Sequence, residues 1–195
     1  MSLVRIALAG EGGQGVQAIA EILAEAAYHE GKQTIYIPNF GIEQRGGVSI
    51  AFLQVSDQKI GAPKFYKADV IIALSERAVA RTAMYSDENT LFVHDSGFDP
   101  SPEDLPPVSK QVLGLPAIEI ANTKLHTKVF NIIIMGAVIG LTNVVTFESA
   151  REALEHKLAS KFENDPRLRE LNMQALEIGK KMAEESLWEG VEHNA

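Results

Sequence analysis

Two kinds of apolar pattern take turns along the chain. "VRIALAG" near the start is an almost unbroken apolar run closed by glycine, the pattern of a strand buried on both faces. After a glycine-rich turn, Val16, Ile19, Ala20, Leu23, Ala26 and Ala27 recur at helical spacing. They predict one face of an amphipathic helix, which Gly31 is placed to end. "QTIYIP" (Gln33–Pro38) predicts a second strand, so this part reads strand, turn, helix, strand. Such a unit has a right-handed crossover, and its two strands are expected to be parallel neighbours.

The pattern continues in the same way. "VSIAFLQVSD" predicts a longer strand ending near Asp57, and "ADVIIAL" (Ala68–Leu74) and "TLFVHD" (Thr90–Asp95) predict two more. "ERAVARTAMY" predicts a helix with Ser75 as its cap. "DPSPEDLPP" is a proline-rich acidic surface loop, too interrupted for a domain linker. The last third turns helical. "VFNIIIMGAVIGL" (Val129–Leu141) is too short to span a bilayer and reads as a buried helix. "FESAREALEHKLASKF" and the stretch opened by Pro166 follow as helices. The predicted fold is α/β, one domain over residues 1–195, with a mostly parallel sheet flanked by helices and a helical C-terminal third.

Composition narrows the chemistry. With 195 residues, 46% hydrophobic and 23% charged, the chain can bury a full core. A net charge of −8 argues against a nucleic-acid partner. The chain has no cysteine, which removes disulfides, thiolate nucleophiles, zinc–thiolate sites and a self-ligated iron–sulfur cluster. "MSLVRIALAG" runs straight into the glycine turn and reads as a strand rather than a signal peptide, so a cytoplasmic protein without a membrane anchor is expected.

Candidate chemistry gathers on two loops. Gly10, Gly12 and Gly15 have the G-x-G-x-x-G spacing that permits a tight turn, close backbone approach and helix packing. The free N–H groups and positive end of the following helix would attract an anion. A dinucleotide fingerprint also needs an acidic residue closing the second strand, and here Pro38 and Asn39 stand in its place. On the second loop, "NFGIEQRGG" (Asn39–Gly47), Gly41, Gly46 and Gly47 surround Glu43 and Arg45. Paired glycines can form a backbone nest, and an arginine can grip a carboxylate or phosphate. Both loops are expected at the carboxyl edge of the sheet, where open α/β folds bind ligands. His29, His94, His126, His156 and His193 are scattered. Only His94, with Asp95, closes a strand at that edge, and a structural role outweighs a chemical one. No side chain is assigned a catalytic role, and no metal site is expected.

"GEGGQG" (Gly10–Gly15), followed by "FGIEQRGG", resembles the gamma subunit or gamma domain of the 2-oxoacid:ferredoxin oxidoreductases. "NIIIMGAVIG" (Asn131–Gly140) is similar to the family's Asn-containing apolar helix, and "NMQALEIG" (Asn172–Gly179) to its C-terminal helix. Ile42 stands where many members have proline, which leaves the oxoacid open among pyruvate, 2-oxoglutarate, branched-chain and indolepyruvate types.

The resemblance implies a hetero-oligomer with alpha- and beta-type subunits, and with a delta or ferredoxin-like one in some complexes. The complex would oxidatively decarboxylate a 2-oxoacid to an acyl-CoA and pass electrons to ferredoxin or flavodoxin. Thiamine diphosphate, magnesium and iron–sulfur clusters would sit on other chains, and this chain alone should be inactive. Gly10, Gly12, Gly13, Gln14, Gly15, Glu43, Arg45, Gly46 and Gly47 would face the partner chains or the coenzyme A phosphates. Phe40, Ile42, Phe65 and Tyr66 are candidates for an apolar patch that the isolated chain could hide by self-association. The alternatives are a free-standing dinucleotide-dependent oxidoreductase and a nucleotide-binding regulatory module.

Overall fold

The computed structural model describes residues 3–40 and 47–192, with side chains up to residue 187. The strands are β1 (Val4–Glu11), β2 (Gln33–Asn39), β3 (Val48–Ser56), β4 (Val70–Ala73), β5 (Leu91–Asp95) and β6 (Gln111–Leu115). The helices are α1 (Val16–His29), α2 (Glu76–Thr82), α3 (Ala117–Lys124), α4 (Phe130–Thr142), α5 (Phe147–Asn164) and α6 (Pro166–Glu192). Short 3-10 turns follow α2 (Ala83–Tyr85) and precede α4 (Thr127–Val129). The α/β class, the helical C-terminal third and Pro166 as the first residue of its helix agree with the sequence reading.

The six strands form one sheet in the order β2-β3-β1-β4-β5-β6. β1, β4, β5 and β6 are parallel, while β3 is antiparallel to both β1 and β2. This corrects one expectation. β1 and β2 point the same way but are not neighbours, because β3 lies between them. Apolar periodicity sets which face of a strand is buried, not which strand lies beside it. β6 and α3 were not foreseen either. "QVLGL" is short, carries a glycine, and has Val112 and Gly114 exposed, so its apolar signal is weak.

The sheet buries both faces unequally. Ile6 and Leu8 of β1 pack into the larger core with Ile19 and Leu23 of α1 and with α3, α4 and α6. Ala7 and Ala9 face the other way, into a smaller core with Ala78 and Val79 of α2, Ile71 and Phe92. The helices after β1 and β4 therefore lie on opposite faces.

α4 is buried from Ile132 to Gly140, as an all-apolar helix must be. It packs backbone to backbone on α6. A β-carbon added at Gly136 would lie 2.1 Å from the Leu176 carbonyl oxygen, and one at Gly179 would lie 1.9 Å from that of Ile133.

A polar staple joins the end of α1 to the start of α5. α1 closes with Gly31 N–H donating to Tyr28 O (2.9 Å) and Lys32 N–H to Ala27 O (3.0 Å). Glu30 accepts from the Thr146 backbone N–H (2.7 Å) and hydroxyl (2.8 Å), and Lys32 Nζ lies 2.7 Å from its other oxygen. Lys32 also donates to Val144 O at 2.8 Å. Partial burial alone would raise the Glu30 carboxyl, but Lys32, Thr146 and Ser149 outweigh it and lower the group from 4.5 to about 2.

A depressed folded value stabilises the fold above the unfolded value and loses that contribution as pH falls through the folded one. Between pH 5 and pH 2, the wild-type chain is therefore expected to lose roughly 1–2 kcal/mol more stability than Glu30→Gln, after solvent screening. Urea unfolding at stepped pH measures this. Parallel losses in the two proteins would contradict the staple.

Candidate functional site

The turn after β1 is built from its own residues. Gln14 folds back over the strand end. Its Oε1 accepts from Glu11 N–H at 2.6 Å, and its Nε2 donates to the Leu74 carbonyl at 2.7 Å. Gly10 leaves room for this, since a β-carbon there would meet Gln14 Oε1 at 2.6 Å. Leu74 follows β4, so the Gln14 amide bridges the gap between the ends of β1 and β4. The chain leaves these strands toward opposite faces, and such a switch point is where open sheets form a crevice.

Gly12 and Gly13 sit on this turn with nothing within 4 Å of an added β-carbon. Gly13 (φ 97°) and Gly15 (φ 75°) hold the left-handed backbone, while Gly12 does not. The expectation that Gly15 packs helix on strand needs correction. A β-carbon there would lie 3.0 Å from Asn131 Cβ and Nδ2, so Gly15 admits the first turn of α4.

α1 starts at this turn with Gly15 as its N-cap residue and no side-chain cap. Its first turn is anchored from below. Gln17 Nε2 donates to Ser49 Oγ (2.6 Å) and Ile50 O (3.1 Å), and its Oε1 accepts from the Tyr36 hydroxyl (2.6 Å). Burial, with Glu21 nearby, pushes the Tyr36 phenol above its ordinary value and keeps it a neutral donor. These bonds tie α1 to β3 and β2. The sequence offered only Gln17 on a polar position, and nothing in it named the partners.

The two described ends of the second loop, Asn39 and Gly47, lie at the same edge of the sheet. Glu11 is opposite Val48 in the β1–β3 register, which places Gly47 beside the first turn. Gly41, Ile42, Glu43, Arg45 and Gly46 lie outside the described residues. β3 occupies the position next to β1 that a dinucleotide fold gives to its second strand. The end of β2, Asn39, is opposite Ile50 rather than any residue of β1. An acidic residue at that strand end would stand one strand too far from the glycine turn to hold a ribose.

Ser75 caps α2, its Oγ accepting from Ala78 N–H at 3.2 Å, as the sequence predicted. Asp95 is buried and spends both oxygens on backbone, accepting from Gly97 N–H (2.7 Å) and Ile118 N–H (2.9 Å). His94 Nδ1 lies 3.0 Å from the Asp95 carbonyl, with the ring against Phe98. These contacts fit a structural His94–Asp95 pair that seats α3. Among the described residues no cluster of three or more His, Asp or Glu could hold a metal, and no helix is long and apolar enough to cross a membrane.

Comparison with known proteins agrees with this architecture. The pyruvate ferredoxin/flavodoxin oxidoreductase family matches residues 5–182. The ketoisovalerate oxidoreductase subunit VorA of Methanothermobacter thermautotrophicus is 32% identical over 94% of this chain, which spans 37% of that longer relative. The common subunit gamma of the Pyrococcus furiosus pyruvate/ketoisovalerate oxidoreductases is 34% identical, over 78% of this chain and 85% of that one. Among solved structures, the gamma subunit of a keto/oxoacid ferredoxin oxidoreductase from Geobacter sulfurreducens superposes with a TM-score of 0.75 at 30% identity, covering 92% of this chain and 98% of the other. The family match over residues 5–182, the relatives and the shared fold lead to one conclusion: this chain belongs to the pyruvate ferredoxin/flavodoxin oxidoreductase family.

Proposed function

We propose that the chain is a non-catalytic, gamma-type subunit of a complex that oxidatively decarboxylates a 2-oxoacid to an acyl-CoA and passes the electrons to ferredoxin or flavodoxin. The observation that carries this is the braced glycine turn at the β1–β4 switch point, in a member of this family. Gln14 spends both ends of its amide on backbone, so the turn is braced, and Gly12 and Gly13 present bare backbone outward. That arrangement suits contact with another chain or an anion better than it suits a reacting side chain.

Gly12, Gly13 and Gly47 are the described residues of the face we assign to the alpha- and beta-type subunits, while Gly10 and Gly15 are taken up by Gln14 and Asn131. Glu43, Arg45 and Gly46 are assigned to the same face from the sequence resemblance alone. The phosphates of coenzyme A are the anion that the start of α1 would favour. Thiamine diphosphate, magnesium and the iron–sulfur clusters belong to the other chains, and a chain without cysteine fits that division. The Pyrococcus furiosus relative is named as common to a pyruvate and a ketoisovalerate enzyme. That supports leaving the choice of 2-oxoacid to the partner subunits here as well.

The dinucleotide alternative is disfavoured by β3, which displaces β2 from the glycine turn. Titration tests this directly. The purified chain is expected to show no saturable binding of NADH or FAD at micromolar protein and ligand. Tight, stoichiometric binding of either would return the dinucleotide reading to first place.

A further inference from the structure

The second face of the sheet is unevenly covered. Among the described residues α2 is the helix packed there, against β1 and β4. Over β3 and β2 the same face opens into a cleft of about 520 Å³. Phe52 forms its floor, flanked edge-on by Phe65 (5.5 Å between ring centroids) and Tyr85 (5.2 Å). Three large apolar side chains stand at its rim with little of their own fold around them: Phe40 is 69% exposed, Tyr66 88% and Met84 70%. A cluster of this kind on one face signals a contact surface, whereas scattered exposed apolar residues do not.

The rims are held in place. Gln54 is buried, and its Nε2 donates to the carbonyls of Ala62 (3.0 Å) and Pro63 (3.1 Å), fixing the segment that carries Phe65 and Tyr66. Lys67 Nζ donates to the carbonyls of Met84 (3.0 Å) and Ser86 (2.8 Å), and Ala68 N–H to Tyr85 O (2.9 Å). A preformed cleft loses little conformational entropy when it is filled.

Charge and sheet geometry describe what would fill it. Among the described residues no carboxylate lines the cleft, and Lys64 does. The hollow beside it is lined by Lys64, Lys67 and Arg5, the last paired with Asp69 at 3.7 Å. Among the described residues the cleft is therefore an aromatic surface with Lys64 on its wall and Lys67 beside it, on a chain of net charge −8. Two copies of a chain with net charge −8 repel each other, which works against a second copy as the occupant. β2 is the sheet edge, but Pro38 has no N–H to extend a ladder, so recognition there falls to side chains.

The lengths of the relatives identify the source of the occupant. In VorA this domain is 37% of a longer chain, while the Pyrococcus furiosus gamma relative is nearly all domain. A domain fused in one relative and separate in another has a face against the remainder of the fused chain.

We propose that the cleft between β2 and the 63–66 segment is the socket for the separate subunit corresponding to that remainder, which inserts an apolar segment flanked by carboxylates. This rests on the reading of the chain as one subunit of an oxidoreductase complex.

The test is binding of the purified subunit from the same source whose sequence matches the remainder of VorA, measured by calorimetry on the full chain. Tyr66→Ser combined with Met84→Ser is expected to weaken binding about tenfold or more, as loss of central aromatic anchors does. Lys64→Glu is expected to weaken it about fivefold through charge reversal. Tyr28→Ser removes an exposed aromatic at the far end of α1 and should leave affinity within about twofold, since it lies outside the cleft. Thermal melting of each variant confirms that the fold is retained.

Wild-type affinity in the cleft variants would overturn the socket while leaving the subunit reading intact. Self-association of the wild type that the Tyr66/Met84 change abolishes would reassign the cleft to a second copy and overturn the proposal. If the wild-type chain fails to bind that subunit at all, both readings fall.

Discussion

Gly179→Ala is expected to destabilise the chain by about 2–4 kcal/mol, although alanine is the better helix former. Propensity alone favours the change by about 1 kcal/mol. The contact outweighs it. The new β-carbon would lie 1.9 Å from the Ile133 carbonyl oxygen and 2.7 Å from its carbon. Both are backbone atoms in the buried stretch of α4, so no flexible side chain can step aside. α4 and α6 would have to separate, opening gaps beside Ala137, Leu176 and Ala183, which are all inaccessible to solvent. Overpacking of a tight core costs about 1–3 kcal/mol and occasionally more. For a domain of this size the melting temperature should fall by about 5–12 °C. Gly61→Ala is the control, because nothing lies within 4 Å of its added β-carbon. Calorimetric melting of the two variants reads the difference. A Gly179→Ala protein that melts with wild type would contradict backbone contact between these helices.

Gly12→Val should have the opposite profile, with the isolated chain nearly unchanged and the assembled complex disabled. No atom lies within 4 Å of an added β-carbon at Gly12, and its φ is outside the left-handed region. The strain that a branched residue would suffer belongs instead to the neighbouring Gly13, at φ 97°. Stability of the Gly12→Val chain should therefore stay within about 0.5 kcal/mol of wild type. In the complex the valine would stand where partner backbone or a coenzyme A phosphate comes close, and a fall of about tenfold or more in kcat/KM for coenzyme A, or in subunit affinity, is expected. Full activity and normal assembly with valine at this position would remove the turn from the contact surface.

Much of the fold is legible in the order of apolar runs. β1 and β4 read as strands buried on both faces because Ile6–Ala9 and Val70–Ala73 carry no polar residue. α1 reads as a helix because its buried positions recur every three or four residues. The place of β3 does not read out, since an antiparallel strand inserted between β1 and β2 has the same local pattern as one added at the edge.

The site was legible in outline. The glycine spacing marked the turn, but the use of each glycine depends on contacts distant in sequence: Gly10 accommodates Gln14, and Gly15 faces Asn131 of α4. Phe40 and Tyr66 stood out as apolar residues on loops. Met84 did not, because "ERAVARTAMY" reads as one helix. In the structure that helix tightens to a 3-10 turn after Thr82, whose hydroxyl donates to Ala78 O at 2.7 Å, and this brings Met84 to the cleft.

Reconstitution decides whether this chain is a required, non-catalytic part of the complex. The alpha- and beta-type subunits of the same source, with thiamine diphosphate, magnesium and any cluster-bearing chain, are assayed for coenzyme A-dependent reduction of ferredoxin by a 2-oxoacid. The assay is run without this chain, then with it, and then with this chain alone. A non-catalytic but required subunit gives no turnover alone, little or none when it is left out, and full turnover when it is added in stoichiometric amount. Full activity in its absence, or 2-oxoacid oxidation by this chain alone, would contradict that role.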